Sequence, residues 1–191
     1  INANLNPESR YSCVTRCRRF GKSMAAKMLC AYYDKSCDSR ELFSGLKVEQ
    51  DMSFETYLNK YRVLYLDVTS FTARPEERTT IVRTIQEKII NDVKKTFPDV
   101  TYDDNSDLMD VLSSIQQATG EKFFFIIDEW DAICREFPER RRMKGDPEVV
   151  TPTILDEYVM LLRRLFKTQD SDRVFAGAYL TGILPIKKYN T

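Results

Sequence analysis

"TRCRRFGKS", residues 15–23, joins a short β-forming stretch to a helix-forming one. Its last three residues, Gly21, Lys22 and Ser23, fill the closing places of a phosphate-binding loop, G-x-x-x-x-G-K-[ST]. Arg16 stands where the first glycine of that pattern belongs. A bare G-K-S triplet is a weak signal, and Arg16, Arg18 and Arg19 equally suit a solvated basic face. The flanks decide the reading. "YSCVT", 11–15, places β-formers around a cysteine and predicts a short buried strand. "KSMAAKMLCAYY", 22–33, is rich in helix formers, with Met24, Met28, Leu29 and Tyr32 or Tyr33 recurring at helical spacing. Strand, basic loop, helix is the context that a phosphate loop needs.

The same alternation continues along the chain. Residues 38–60 predict short helices anchored by Leu42, Phe43, Leu46, Phe54 and Tyr57. "RVLYLDVTSF", 62–71, predicts a second strand ending at Asp67. Residues 75–96 predict an amphipathic helix, with Pro75, Glu76 and Glu77 as its start and Ile81, Ile85, Ile89 or Ile90, and Val93 inward. Residues 106–118 predict another, capped by Ser106, with Leu108, Val111, Leu112 and Ile115 on one face. "EKFFFIIDEWD", 121–131, carries five consecutive large apolar residues, the mark of a central parallel strand buried on both faces. Residues 135–151 are charged and predict a loop; Pro152 opens a helix through Lys167, with Leu155, Val159, Leu162 and Leu165 or Phe166 inward. "VFAGAYLTGI", 174–183, predicts a fourth strand. Strands alternating with helices imply right-handed crossovers, a mainly parallel sheet and helices on both faces. Ligands in such α/β sheets bind outside the carboxyl ends of the strands.

Composition narrows the chemistry. With 42% hydrophobic residues among 191, the chain holds enough apolar surface for a core. Lys+Arg and Asp+Glu both total 29, so a general affinity for nucleic acid or anionic membrane is not implied. The absence of histidine excludes His-based triads, His general bases and His-containing metal sites in this chain. The five cysteines include no C-x-x-C pair, their spacings fit no zinc pattern, and they read as free thiols in a reducing compartment, the cytoplasm. No apolar run approaches the ~18 residues that a membrane span requires.

Three features fall at strand carboxyl ends: the loop after the first strand, Asp128-Glu129 after the third, and Thr181 at the end of the fourth. Together they suit a nucleoside triphosphate. Lys22 supplies a cation against the β- and γ-phosphates from the first helical turn. The Ser23 hydroxyl and Asp128, at the Walker B position, are the expected Mg²⁺ ligands. Glu129 is the expected base on water, and Thr181 hydrogen-bonds that water or the γ-phosphate. Arg18, Arg19, Phe20, Gly21, Lys22, Ser23 and Met24 form the expected nucleotide-binding set, with Lys22, Glu129 and Thr181 as the catalytic one. Asp67 faces the site or is simply a polar strand terminus. Trp130 packs under its loop or stacks on a base, with packing the favoured reading.

"VTRCRRFGKSMAAKML", "FIIDEWDAI" and "YLTGILPIKKY" together resemble the AAA-ATPase-like family of bacterial and archaeal P-loop proteins, from about residue 10 to the end of the sequence. The resemblance implies an ATP-binding P-loop NTPase of the ASCE type, a three-layer αβα sandwich spanning residues 1–191 as one domain truncated at both ends, its C-terminal lid missing. It implies Mg-dependent ATP hydrolysis coupled to a conformational switch or a partner, or a nucleotide-gated scaffold that does not hydrolyse. It also implies a longer protein in which a nuclease-like domain follows; "RRRMK", 140–144, would suit a nucleic-acid role for that protein. By the resemblance Gly21, Lys22 and Ser23 correspond to the phosphate loop, Asp128 and Glu129 to the paired acids, and Thr181 to a polar sensor. One departure stands out: Cys17 replaces the proline usual in the family, which loosens the loop and sets a thiol among Arg16, Arg18 and Lys22. Cys17 is therefore the expected most reactive thiol.

Overall fold

The computed structural model describes residues 10–73, 80–137 and 153–184. Within them the chain runs β1 (Tyr11–Thr15), α1 (Lys22–Tyr33), two 3₁₀ turns (Arg40–Phe43 and Lys47–Gln50), α2 (Phe54–Tyr57), β2 (Arg62–Asp67), α3 (Thr69–Thr72) and α4 (Ile81–Thr96). It continues through α5 (Leu108–Thr119), β3 (Phe123–Asp128), α6 (Ala132–Glu136), α7 (Ile154–Phe166), α8 (Ser171–Val174) and β4 (Phe175–Gly182). The four strands form one parallel sheet in the order β1-β4-β3-β2. This is a mixed α/β fold, as the alternation of elements implies.

The expected central strand lies inside the sheet, and every residue of β3 is buried. Its side chains alternate between two cores, as period-2 geometry requires. Phe123, Phe125 and Ile127 join one core with Ile85, Leu112, Ile115, Leu161 and Leu165. Phe124 and Ile126 join the other with Ala26, Leu29, Tyr33, Phe43 and Phe54. Helices therefore cover both faces of the sheet: α1 and the short segments after it on one, α4, α5 and α7 on the other.

Several local expectations shift. β1 is half-exposed rather than buried, and Cys13 faces solvent, because β4 is its one strand partner among the described residues. Met24 and Met28 are exposed, since Ala26, Leu29 and Tyr33 are the α1 positions that meet Phe124 and Ile126. Leu42 and Leu46 are exposed as well; Phe43 turns inward between them. The cap of α5 is Asp107, not Ser106: its side chain accepts from Asp110 N while Asp110 reaches back to the Asp107 amide. The inward stripe of α7 centres on Tyr158, Leu161 and Leu165, one residue away from the expected Val159 and Leu162, which are half-buried. The segment after β3 begins as helix α6, so Arg135 is helical and not part of a loop. Pro75, Glu76, Glu77, Pro152 and the basic stretch 140–144 lie outside the described residues.

Candidate functional site

The carboxyl ends of the four strands share one edge of the sheet, because all four run parallel. The loop after β1 lies on that edge, and its backbone answers the question raised by Arg16. The Arg16 amide donates to Gly182 O at 3.1 Å, extending the β1–β4 ladder one residue past Thr15. Arg16 is not among the residues with left-handed backbone, so a side chain fits there without strain. The left-handed turn comes later, at Arg19 (φ 68) and Gly21 (φ 74). Gly21 N-caps α1 in that conformation, which glycine adopts at no steric cost.

Lys22 opens α1 and is only 7% exposed. Its ammonium donates to Cys17 O at 3.2 Å, closing the loop on itself, and lies 3.7 Å from Glu129 Oε1. A cavity of about 370 Å³ sits at this meeting point. It gathers Arg18, Arg19, Gly21, Lys22, Ser23 and Met24 from the loop and first turn, and Glu129 from the end of β3. Phe20, expected with them, is 71% exposed and does not line the cavity.

The acidic pair divides its work. Glu129 reaches into the cavity, whereas Asp128 is buried behind the wall at 3% exposure. Asp128 Oδ1 accepts from the Thr181 hydroxyl and from Glu129 N (3.1 Å), and Oδ2 accepts from Tyr65 OH at 3.3 Å. Burial, then the Asp128 and Asp67 charges, push the Tyr65 phenol above its ordinary range, so it stays protonated as a donor. All these partners are neutral: among the described residues no cation pairs with the Asp128 carboxylate. Thr181 is fully buried, and its hydroxyl also receives the Glu129 amide at 3.3 Å. It braces the two acids from β4 and does not line the cavity. Glu129 itself holds a left-handed backbone (φ 52). Two of the three non-glycine residues in that conformation among those described, Arg19 and Glu129, thus line one cavity, which is where backbone strain tends to be retained for function.

Two lining residues escaped the sequence reading. Thr69 opens α3 beyond β2, and Asp67 Oδ1 accepts from its amide and hydroxyl at 3.0 and 2.6 Å. Asp67 is thereby a strand terminus that turns the chain, and it does not line the cavity. Arg135, on α6, donates from Nη2 to Glu129 Oε2 at 2.8 Å and from Nη1 to Asp131 Oδ1 at 2.5 Å. Partial burial opposes its charge, but the bonds to Asp131 and then Glu129 outweigh that and raise its pKa. Asp131 is fully buried and also accepts from the Ile183 and Leu184 amides. An i,i+4 acid–base pair, Asp131 and Arg135, was the available signal. Trp130 is buried in the core and its backbone amide donates to Thr181 O, in keeping with the packing reading. Cys17 is exposed, while burial and Asp34 push the Cys30 thiol up to about 12.

No cluster of three or more potential metal-binding side chains occurs among the described residues. Mg²⁺, however, takes one or two protein oxygens and completes its shell with water and phosphate. The Ser23 hydroxyl on the cavity wall and the buried Asp128 carboxylate, satisfied by neutral donors only, are oxygen donors of that kind. No helix among the described residues is long and apolar enough to cross a membrane. The sequence model of the AAA-ATPase-like family, described as "Predicted AAA-ATPase", matches residues 2–190. No curated protein and no solved structure matches the chain.

Proposed function

The chain belongs to the AAA-ATPase-like family, and on that premise we propose that it binds ATP in the cavity between the loop after β1 and the end of β3 and hydrolyses it with Mg²⁺. One observation carries the reading: a nearly buried lysine at the first turn of α1 faces a carboxylate from another strand across a cavity rich in cations. A triphosphate supplies the anion for that lysine and for the first-turn amides of α1, which have no intrahelical partner. The strand order supports an ASCE-type P-loop domain with an αβα sandwich, because β4 lies between the loop strand and the acidic strand and brings Thr181 to both acids.

In this reading Lys22, Arg18 and Arg19 hold the phosphates. Ser23 and Asp128 hold Mg²⁺, which when bound neutralises charge on the phosphate oxygens. Glu129 accepts a proton from water as the new oxygen–phosphorus bond forms, and ADP leaves. Thr181 and Tyr65 keep Asp128 in place. Lys22→Ala is expected to abolish nucleotide binding, and Glu129→Gln to preserve binding while stopping phosphate release, measured with and without Mg²⁺. Undiminished turnover in Glu129→Gln would remove Glu129 from the base role. A second reading, a nucleotide-gated scaffold without hydrolysis, draws on the Arg135–Glu129 ion pair, which occupies the very carboxylate that hydrolysis requires. Phosphate release near the buffer background from a protein that binds ATP and Mg²⁺ would favour it.

A further inference from the structure

The cavity wall holds four cationic side chains and one carboxylate. Three of the cations come from the loop and α1; the fourth, Arg135, comes from α6 on the opposite side of Glu129. Its guanidinium is held unequally. The Nη1 arm meets Asp131, which is fully buried and fixed by two further backbone donors, Ile183 N and Leu184 N. The Nη2 arm meets Glu129, whose other oxygen faces Lys22. The Nε atom is buried and has no hydrogen-bond partner among the described residues, so the group has a donor to spare. Arg135 thus has a fixed anchor on one side and an exchangeable partner on the other, inside the cavity.

We propose that Arg135 is the residue that reads the terminal phosphate: anchored on Asp131, its Nη2 arm passes from Glu129 to the γ-phosphate of a bound triphosphate. The inference rests on the cavity being the ATP site. A guanidinium binds phosphate oxygens in a planar fork, and a terminal phosphate concentrates more charge than the carboxylate it replaces. The exchange has two consequences. The chain distinguishes a triphosphate from a diphosphate, because only the former reaches Arg135. It also frees the Glu129 lone pairs that the ion pair occupies, so base function and phosphate sensing are coupled through one side chain.

The test is a pair of affinities for each variant: Mg²⁺ with a non-hydrolysable ATP analogue, and Mg²⁺ with ADP, both by titration calorimetry. The unaltered protein is expected to prefer the triphosphate, and Arg135→Ala to lose roughly tenfold or more of that preference while its ADP affinity holds. Arg135→Lys keeps a charge for buried Asp131 but not the fork; it should retain only part of the preference, and it carries the reading if Arg135→Ala melts. Glu129→Gln, which weakens the competing ion pair, should tighten the triphosphate, and that gain should vanish in the Glu129→Gln/Arg135→Ala double variant. Equal weakening of both nucleotides in Arg135→Ala and Arg135→Lys overturns the proposal, as does a gain in Glu129→Gln that survives removal of Arg135. If the unaltered protein binds neither nucleotide, the assignment of the cavity to ATP is what fails.

Discussion

Replacing Gly182 by alanine tests how tightly the end of β4 is gripped by the turn that carries the acids. A Cβ at this position would lie 2.6 Å from Trp130 Nε1, 2.7 Å from Trp130 Cδ1 and 2.8 Å from Asp131 Oδ1. Neither neighbour can yield cheaply. Trp130 is buried, and its amide is bonded to Thr181 O. Asp131 is held by Arg135, Ile183 N and Leu184 N. The methyl therefore drives a wedge between β4 and the residues that clasp it. Overpacking of this kind costs about 1–3 kcal/mol, and the loss of one hydrogen bond to the buried Asp131 charge adds about 1.5–3 kcal/mol. Together these give about 2.5–6 kcal/mol, which corresponds to a fall in Tm of about 5–24 °C for a chain of this size. Differential scanning fluorimetry and urea unfolding measure it. Gly120→Ala is the control: its φ is left-handed, at 72°, which that of Gly182 is not, and nothing lies within 4 Å of its added Cβ. That substitution should cost only about 1 kcal/mol for the backbone conformation. A Gly182→Ala protein melting within about 2 °C of the parent, or no lower than Gly120→Ala, would refute the crowding argument.

Thr181→Val should destabilise by about 2 kcal/mol, because a buried carboxylate loses its hydroxyl donor and the Glu129 amide loses an acceptor. Urea unfolding checks this, and Thr181→Ser should restore most of the loss; a valine protein of parental stability would mean that the hydroxyl does not hold Asp128. At the other edge of the sheet, Glu121 accepts from Arg62 Nε at 2.6 Å and Lys35 Nζ at 2.7 Å. Burial alone would raise its pKa, but the bonds from Arg62 and then Lys35 outweigh burial and lower it. A carboxylate with a depressed folded pKa contributes stability above its unfolded pKa, near ~4.3, and loses it as pH falls through the folded value. Glu121→Gln should therefore lower stability at pH 7 by about 1 kcal/mol or less, since all three groups are partly exposed. The difference should shrink below about pH 4.3, and a constant difference down to pH 3 would contradict the assignment.

What the sequence reveals depends on how local the physics is. The run Phe123–Ile127 is legible because a strand buried on both faces needs no periodicity, only uninterrupted apolar residues. The inward face of α5 is legible because Leu108, Val111, Leu112 and Ile115 already form one stripe. The face of α1 is legible only in part: Leu29, Tyr32 and Tyr33 do go inward, but Met24 and Met28 are as apolar as their neighbours, and only the position of the helix over Phe124 and Ile126 decides that Ala26 is buried and the two methionines are exposed. The candidate site divides in the same way. Gly21, Lys22, Ser23 and Glu129 are readable from spacing and from position at strand ends, and the cavity does gather them. Thr69 enters only because β2 lies beside β3, where the Val68 amide donates to Asp128 O. Arg135 enters only because a short helix folds it back onto a glutamate six residues earlier.

The first glycine of the phosphate-loop pattern is the instructive case. A motif written as residue types requires glycine at position 16, but the requirement is conformational, not chemical. Here the Arg16 amide is bonded to Gly182 O, its backbone is not left-handed, and the left-handed turn is deferred to Arg19 and Gly21. The sheet edge that satisfies the Arg16 amide is the same β4 end that carries Thr181. Part of what the loop lacks in glycine is therefore supplied by a strand more than 160 residues away, and no local reading of "TRCRRFGKS" could have contained it.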